Sequence, residues 1–149
     1  MFQAPTRTPS QRTAATAPPP SRWPRRAARL LRVTAVLTLL DTLVQAALAG
    51  LFVTGDVHLL DWHAANAQVL TALILAETVA VCLLWRTAKA PVWPVLAALG
   101  LLILVGVQQA LGDARMIGGH VPLGMTIFGM SAALAYWAFS HRHAAKDGQ

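Results

Sequence analysis

Four long apolar stretches follow a polar N-terminal segment, and they determine the secondary structure that the sequence predicts. They cover about 30–53, 64–85, 92–111 and 121–139. Each is close to the roughly 20 residues that a helix needs to cross about 30 Å of hydrocarbon. A helix also satisfies its own backbone hydrogen bonds in lipid. The pattern therefore predicts an all-α fold, an integral membrane four-helix bundle with up-down-up-down topology.

Basic residues fall almost entirely on one side of this predicted bundle. Of the twelve lysines and arginines, only Arg115 lies in the first or third loop. Loops rich in Lys and Arg face the cytoplasm, so we expect a multi-pass plasma-membrane protein with both termini cytoplasmic. The expected domains are a disordered basic tail at 1–27, a four-helix transmembrane domain at 28–141 and a second cytoplasmic tail at 142–149.

A cleaved signal peptide is the alternative interpretation of the first apolar stretch, because Ala47-Leu48-Ala49 resembles a cleavage site. The stretch is too long for a signal peptide, and it contains Asp41. Cleavage would also leave three spans and break the charge pattern. We therefore interpret the stretch as a helix that stays in the membrane.

Composition excludes a water-soluble domain and narrows the partners. The chain is 56% hydrophobic and 12% charged, whereas globular chains are about 45–50% and 25%. A net charge of +6 would suggest nucleic acid in a soluble protein, but here the positive charge is concentrated on one side. We expect the lipid bilayer as partner and no nucleic acid. Cys82 is the only cysteine, which excludes an intrachain disulfide and a CxxC pair.

An internal repeat is the most informative motif. Residues 44–49 and 107–112 both read Val-Gln-x-Ala-Leu-small, near the end of the first and third predicted helices. Each is followed by a loop and then by a histidine that opens the next helix, His63 or His120. The sequence therefore predicts two helical hairpins with equivalent polar positions.

The two histidines are the candidate cofactor ligands. Each is followed four residues later by a small residue, Ala67 or Gly124. Residues i and i+4 stack on one helix face, so we expect a slot one turn deeper that admits a flat macrocycle. Two neutral imidazoles suit haem iron, whereas other metals would need further ligands. We predict haem b held by His63 and His120, with the two ligating nitrogens roughly 4 Å apart.

Other polar residues near the histidines have two interpretations each. Gln45 and Gln108 either hydrogen-bond the cofactor or its ligands, or join helices without a cofactor. Arg115 is a candidate partner of haem propionates. Asp41 and Glu77 lie at one depth inside the membrane, where acids usually face the bundle interior. They form either a proton path or neutral acids bound to hydroxyl or backbone groups.

On these motifs, residues 30–140 resemble one four-helix half of the haem A synthase family, and also a family of small bacterial four-helix membrane proteins of unknown function. The matching elements are Gln45–Gly50 leading to His63, and Gln108–Gly112 leading to His120–Gly124. The resemblance implies that the two histidines are haem ligands. It does not imply synthase activity, because the chain has one half only and its outer loops lack a glutamate or cysteine. A homodimer would restore two halves.

Together these observations predict a small membrane cytochrome-like protein, rather than a stand-alone enzyme. It would bind one b-type haem between the second and fourth helices, for electron transfer to a membrane redox partner or for haem sensing or handling. The alternative is a cofactor-free structural or assembly subunit of a membrane complex. A third interpretation is a proton-coupled transporter fragment that uses Asp41 and Glu77.

Overall fold

The computed structural model describes residues 22–140, which form four helices joined by short loops. These are α1 (Trp23–Val53), α2 (Leu59–Ala88), α3 (Trp93–Asp113) and α4 (Ile117–Ser140). All four are long and apolar enough to cross a membrane. The prediction of an all-helical protein with four candidate membrane spans is therefore confirmed. Residues 1–21 of the predicted first tail, the predicted second tail 142–149 and residue 141 lie outside the described part.

Helix α1 begins at Trp23, inside the segment 1–27 that the sequence assigns to a disordered tail. Pro24 occupies the first turn, where the missing N–H would have no helical partner anyway. Arginine and alanine, which follow it, are strong helix formers. Ala27 and Ala28 are buried, so this turn packs as part of the bundle. The tail assignment is wrong for residues 23–27.

Each helix packs against two neighbours. Helix α1 contacts α2 and α4, and α3 contacts the same two helices, while the α2 and α4 backbones do not approach closely in the described part of the chain. Helices α2 and α4 therefore lie diagonally across the bundle. The largest fully buried side chains form the core between the helices: Leu31, Ile74, Leu84, Leu101 and Leu134. Outward-facing apolar side chains such as Ile103 and Met125 are exposed, as expected of a surface that faces lipid.

The first and third helices are both tied to the end of the last one. Arg32 Nε donates a hydrogen bond of 2.9 Å to the carbonyl oxygen of Ala138, and its guanidinium lies 5.7 Å from the ring centre of Phe139. A cation at a helix C-terminus also complements the helix dipole. Trp93 and Trp137 pack edge to face, with ring centres 5.5 Å apart. The starts of α1 and α3 thus meet the end of α4.

A tight turn connects α3 to α4. The Met116 amide donates to the Leu111 carbonyl and the Arg115 amide donates to the Gly112 carbonyl, both at 2.9 Å. This is the Schellman arrangement, in which the residue after the cap adopts a left-handed backbone. Arg115 has φ of 56° there, although glycine is the usual residue at such a position. The turn sets the first residues of α4 against the last turns of α3.

Candidate functional site: a histidine pair across the bundle

The imidazoles of His63 and His120 approach each other across the bundle diagonal. Their ring centres are 6.1 Å apart and their planes are tilted by 55°. Both side chains are half-buried, and each lies near the start of its helix, α2 or α4. The separation is comparable to that of two imidazoles on one metal, where nitrogen–metal distances of about 2 Å put the ring centres about 6 Å apart.

Each histidine is held by the backbone of the preceding helix. His63 Nδ1 is 3.1 Å from the Gln45 carbonyl oxygen, and His120 Nδ1 is 2.9 Å from the Gln108 carbonyl oxygen. A carbonyl oxygen only accepts, so Nδ1 carries the hydrogen in both rings and donates it. In a neutral imidazole the lone pair is then on Nε2. Both histidines therefore present the nitrogen that a metal would need, with ring orientation fixed by the other.

The Gln45 side chain adds a second layer of contacts around His63. Its Nε2 donates to the His63 carbonyl oxygen at 3.0 Å and to His63 Nε2 at 3.3 Å. These contacts join α1 to the first turns of α2. Both ring nitrogens of His63 then have a hydrogen-bond partner, because Nδ1 is bound to the Gln45 backbone. His63 Nε2 can bind a metal only if the Gln45 amide moves away.

Asn66 completes this arrangement, although the sequence analysis did not place it in the site. Its Nδ2 donates to Gln45 Oε1 at 2.8 Å and to Asp41 Oδ2 at 3.4 Å. A continuous set of hydrogen bonds thus runs from the His63 ring to the Asp41 carboxyl. The available sequence signal was its position three residues after His63, which places both side chains on one face of α2.

The second hairpin repeats the backbone contact but not the side-chain network. Gln108 Oε1 is buried without a hydrogen-bond partner among residues 22–140. The residues at the corresponding sequence positions differ. Leu123 stands three residues after His120, where the first hairpin has Asn66, and Leu104 stands four residues before Gln108, where the first hairpin has Asp41. Neither leucine can donate to the Gln108 amide, so its oxygen is left unpaired.

The predicted slot at Gly124 is filled by a side chain. A Cβ on Gly124 would lie 3.1 Å from Gln108 Nε2, so the amide occupies the space that the sequence analysis assigned to a macrocycle edge. The expectation of open space there is corrected on this point, because it did not allow for a side chain from α3. A macrocycle can enter beside Gly124 only if the Gln108 side chain rotates.

Gly112 supports the His120 ring directly. A Cβ on Gly112 would lie 3.1 Å from His120 Cε1 and 3.3 Å from Nδ1. These distances are shorter than ordinary van der Waals contacts, so a side chain at position 112 would press on the His120 ring. The sequence analysis used this residue only as the small position of the repeat motif. The tight α3–α4 turn brings the His120 ring against Gly112. The sequence motif alone did not reveal this contact.

The remaining predicted site residues lie at the edge of the site or away from it. The Ala67 carbonyl accepts hydrogen bonds from Thr71 Oγ1 at 2.9 Å and from Gln109 Nε2 at 3.3 Å, which joins this turn of α2 to α3. Arg115 is exposed in the α3–α4 turn, near the start of the helix that carries His120. Glu77 is buried in the core, whereas Asp41 is half-buried.

The site can supply two imidazole ligands but not a complete protein ligand set. Among residues 22–140, no group of three or more His, Cys, Asp and Glu side chains is arranged to hold a metal ion. Haem iron needs only two axial ligands from the protein, because the porphyrin supplies the others. The donor set therefore fits haem better than a bare ion.

A surface cavity of about 500 Å³, lined by Trp85, Arg86, Lys89 and Ala90, lies at the other end of α2.

Comparisons with protein families, curated proteins and solved structures find no match to this chain. The resemblance to the haem A synthase family stays a prediction from short motifs.

Proposed function

We propose that this protein is a small membrane cytochrome-like protein that binds one b-type haem between α2 and α4. His63 and His120 would be the axial ligands, near the outer face of the plasma membrane. The helices would cross the bilayer in alternating directions as two repeated hairpins, with both termini cytoplasmic, as the distribution of basic residues indicates.

One observation carries this proposal: two imidazoles from diagonal helices meet at 6.1 Å between ring centres. Each is oriented by an Nδ1 hydrogen bond to a backbone carbonyl. Ligand histidines in metalloproteins are commonly fixed in this way through the nitrogen that does not bind the metal. The same Nδ1 contact occurs in both histidines, and His63 Nε2 additionally accepts a hydrogen bond from the Gln45 amide, which haem binding would displace.

The orphaned amide oxygen of Gln108 gives a second, weaker support. A buried polar atom without a partner costs free energy, and such atoms often mark a bound water or ligand that completes the hydrogen bonding. The Gln45 side chain contacts the His63 ring, and the Gln108 amide lies beside Gly124, one turn after His120. In the proposal they rotate to admit the macrocycle and then contact its edge.

Bound haem would supply one-electron transfer, with a potential tuned by its ligands and their surroundings. The protein's own part is to hold both imidazoles in the neutral Nδ1–H form and to exclude bulk water from the bundle interior. Arg115, exposed in the adjacent turn, would pair with a propionate by charge-assisted hydrogen bonds. A membrane redox partner or a second copy of the chain would then exchange electrons with this site.

A cofactor-free structural or assembly subunit is the second candidate, and the first hairpin favours it. The His63 ring, Gln45 and Asn66 already satisfy one another without a ligand. Polar networks of this kind join membrane helices in proteins that bind nothing. Under this candidate the histidine pair contributes to stability alone.

The deciding experiment is the absorbance spectrum of protein purified from cells with an adequate supply of iron and haem. We expect a Soret band that survives washing in detergent, and a low-spin spectrum that His63→Ala and His120→Ala each abolish. The matched control is His58→Ala, because His58 is exposed in the loop before α2.

A double mutant, His63→Ala with His120→Ala, that keeps the wild-type spectrum would disprove the ligand assignment. Colourless wild-type protein that also fails to bind added haemin would favour the structural subunit. Thermal unfolding of the same variants separates the candidates further, because a purely structural pair would change only the melting temperature.

A further inference from the structure

Glu77 is the only glutamate of the chain, and it lies in the driest part of the bundle. Its side chain is 1% exposed, and Ile74 and Val81, one turn away on the same face of α2, are 0% and 1% exposed. Neither carboxyl oxygen has a hydrogen-bond partner among residues 22–140. The haem proposal makes no use of this residue.

One buried hydroxyl group within residues 22–140 has no hydrogen-bond partner. Thr34, Thr78 and Ser131 are buried, and each donates to a carbonyl of its own helix. Thr38 is 0% exposed, and its Oγ1 also lacks a partner within residues 22–140. Thr38 lies on α1, which packs against α2, the helix that carries Glu77. Two buried groups without partners thus lie on neighbouring helices.

Within residues 22–140, no buried cation compensates a charge at this position. Apart from Glu77, the buried polar side chains among residues 22–140 are all hydroxyls. On α1 the titratable residue nearest to Thr38 in sequence is Asp41, whose carboxylate accepts a hydrogen bond from Asn66. Helix α3 carries only Asp113, at its far end, and α4 carries His120 and the exposed Tyr136. An unpaired carboxylate in a dry interior is so costly that the group takes up a proton instead.

We propose that Glu77 is a proton-binding site in the bundle core, where it carries an exchangeable proton at neutral pH with Thr38 as its hydrogen-bond partner. Binding converts the carboxylate to a neutral carboxylic acid, which gains an O–H donor. The acid O–H and the Thr38 hydroxyl then satisfy each other. The site stands apart from the histidine pair and needs no cofactor.

The single glutamate allows the protonation of this one group to be observed in the wild-type protein. Protein produced with glutamate labelled with ¹³C at the side-chain carboxyl reports one group in isotope-edited infrared spectra, with Glu77→Gln as the background. At pH 7 in detergent we expect the carbonyl band of a neutral carboxylic acid. The band should shift when the solvent is changed to D₂O, because the proton exchanges. Thr38→Val, which keeps the side-chain shape, should move the same band by removing its hydrogen bond.

Three results would overturn the proposal. A carboxylate band at pH 7 would show that Glu77 is ionised. A neutral band that stays unchanged after long exposure to D₂O would show a permanently locked proton. A neutral band that disappears in sodium chloride but not in choline chloride, at constant pH, would identify a sodium site instead. None of these results depends on whether the protein binds haem.

Discussion

Gly112 and His120 are in direct contact: a Cβ on Gly112 would lie 3.1 Å from Cε1 of the histidine ring. The ring therefore rests on the backbone of α3, and the same ring donates to the Gln108 carbonyl at 2.9 Å. Because the contact is already tight, the orientation of this histidine depends on the absence of a side chain at position 112.

Gly112→Ala should displace the His120 ring and weaken its bond to Gln108. Overpacking of this kind costs about 1–3 kcal/mol, which thermal unfolding in detergent will show as a lower melting temperature. Gly106→Ala is the matched control on the same helix, because a Cβ there meets no atom within 4 Å. Equal melting temperatures of the two variants would contradict the contact.

Gly124→Leu should remove the space that Gln108 Nε2 now occupies, 3.1 Å from the position of a Cβ. If haem binds between the histidines, this variant should lose most of its haem per protein in a pyridine haemochrome assay. Gly129→Leu, five residues further along α4 and in open space, should keep it. Equal haem content in both variants would place the macrocycle elsewhere.

Gln45 and Asn66 should be energetically coupled, since Asn66 Nδ2 donates to Gln45 Oε1 at 2.8 Å. In a double-mutant cycle with Gln45→Leu and Asn66→Leu, we expect a coupling energy of about 0.5–3 kcal/mol in unfolding experiments. Gln68→Leu serves as the uncoupled control with Gln45→Leu, because the exposed Gln68 bonds to Gln109 instead. Strict additivity of the first pair would argue against the network.

Membrane orientation is testable with reporter fusions. Eleven of the twelve basic residues lie on one predicted side, so fusions at Gln149 and Lys89 should report a cytoplasmic position and fusions near Gly55 and Gly118 an external one. An external signal at Lys89 would refute the alternating four-span topology.

The four helices were predictable because apolar length alone decides which segments can cross lipid. The start of α1 was not, since the segment around Pro24 has the composition of a linker while its alanines and arginines also favour helix. Burial of Ala27 against the bundle is a tertiary effect that no local pattern contains.

The proximity of His63 and His120 was predictable from the sequence, but the contacts around the two rings were not. The repeated Gln and His spacing indicated His63 and His120, because equivalent positions of two hairpins come together in space. The Gln108 amide occupies the space at Gly124. This depends on the Gln108 side-chain rotamer, which packing between α3 and α4 determines. The sequence shows Asn66 three residues after His63 but Leu123 three residues after His120. The effect of this difference on hydrogen bonding became clear only because the Gln45 side chain contacts both Asn66 and His63.

The bond from Arg32 to the Ala138 carbonyl spans 106 residues, and it bears on the order of biosynthesis. Helix α1 leaves the ribosome first, yet the carbonyl that receives its guanidinium is made almost last. Until α4 has been inserted, this arginine must interact with water or lipid headgroups at the membrane surface. A nascent chain that stops short of Ala138 therefore has a first helix without its final anchor, and completion of translation becomes a condition for the stability of the segment made first.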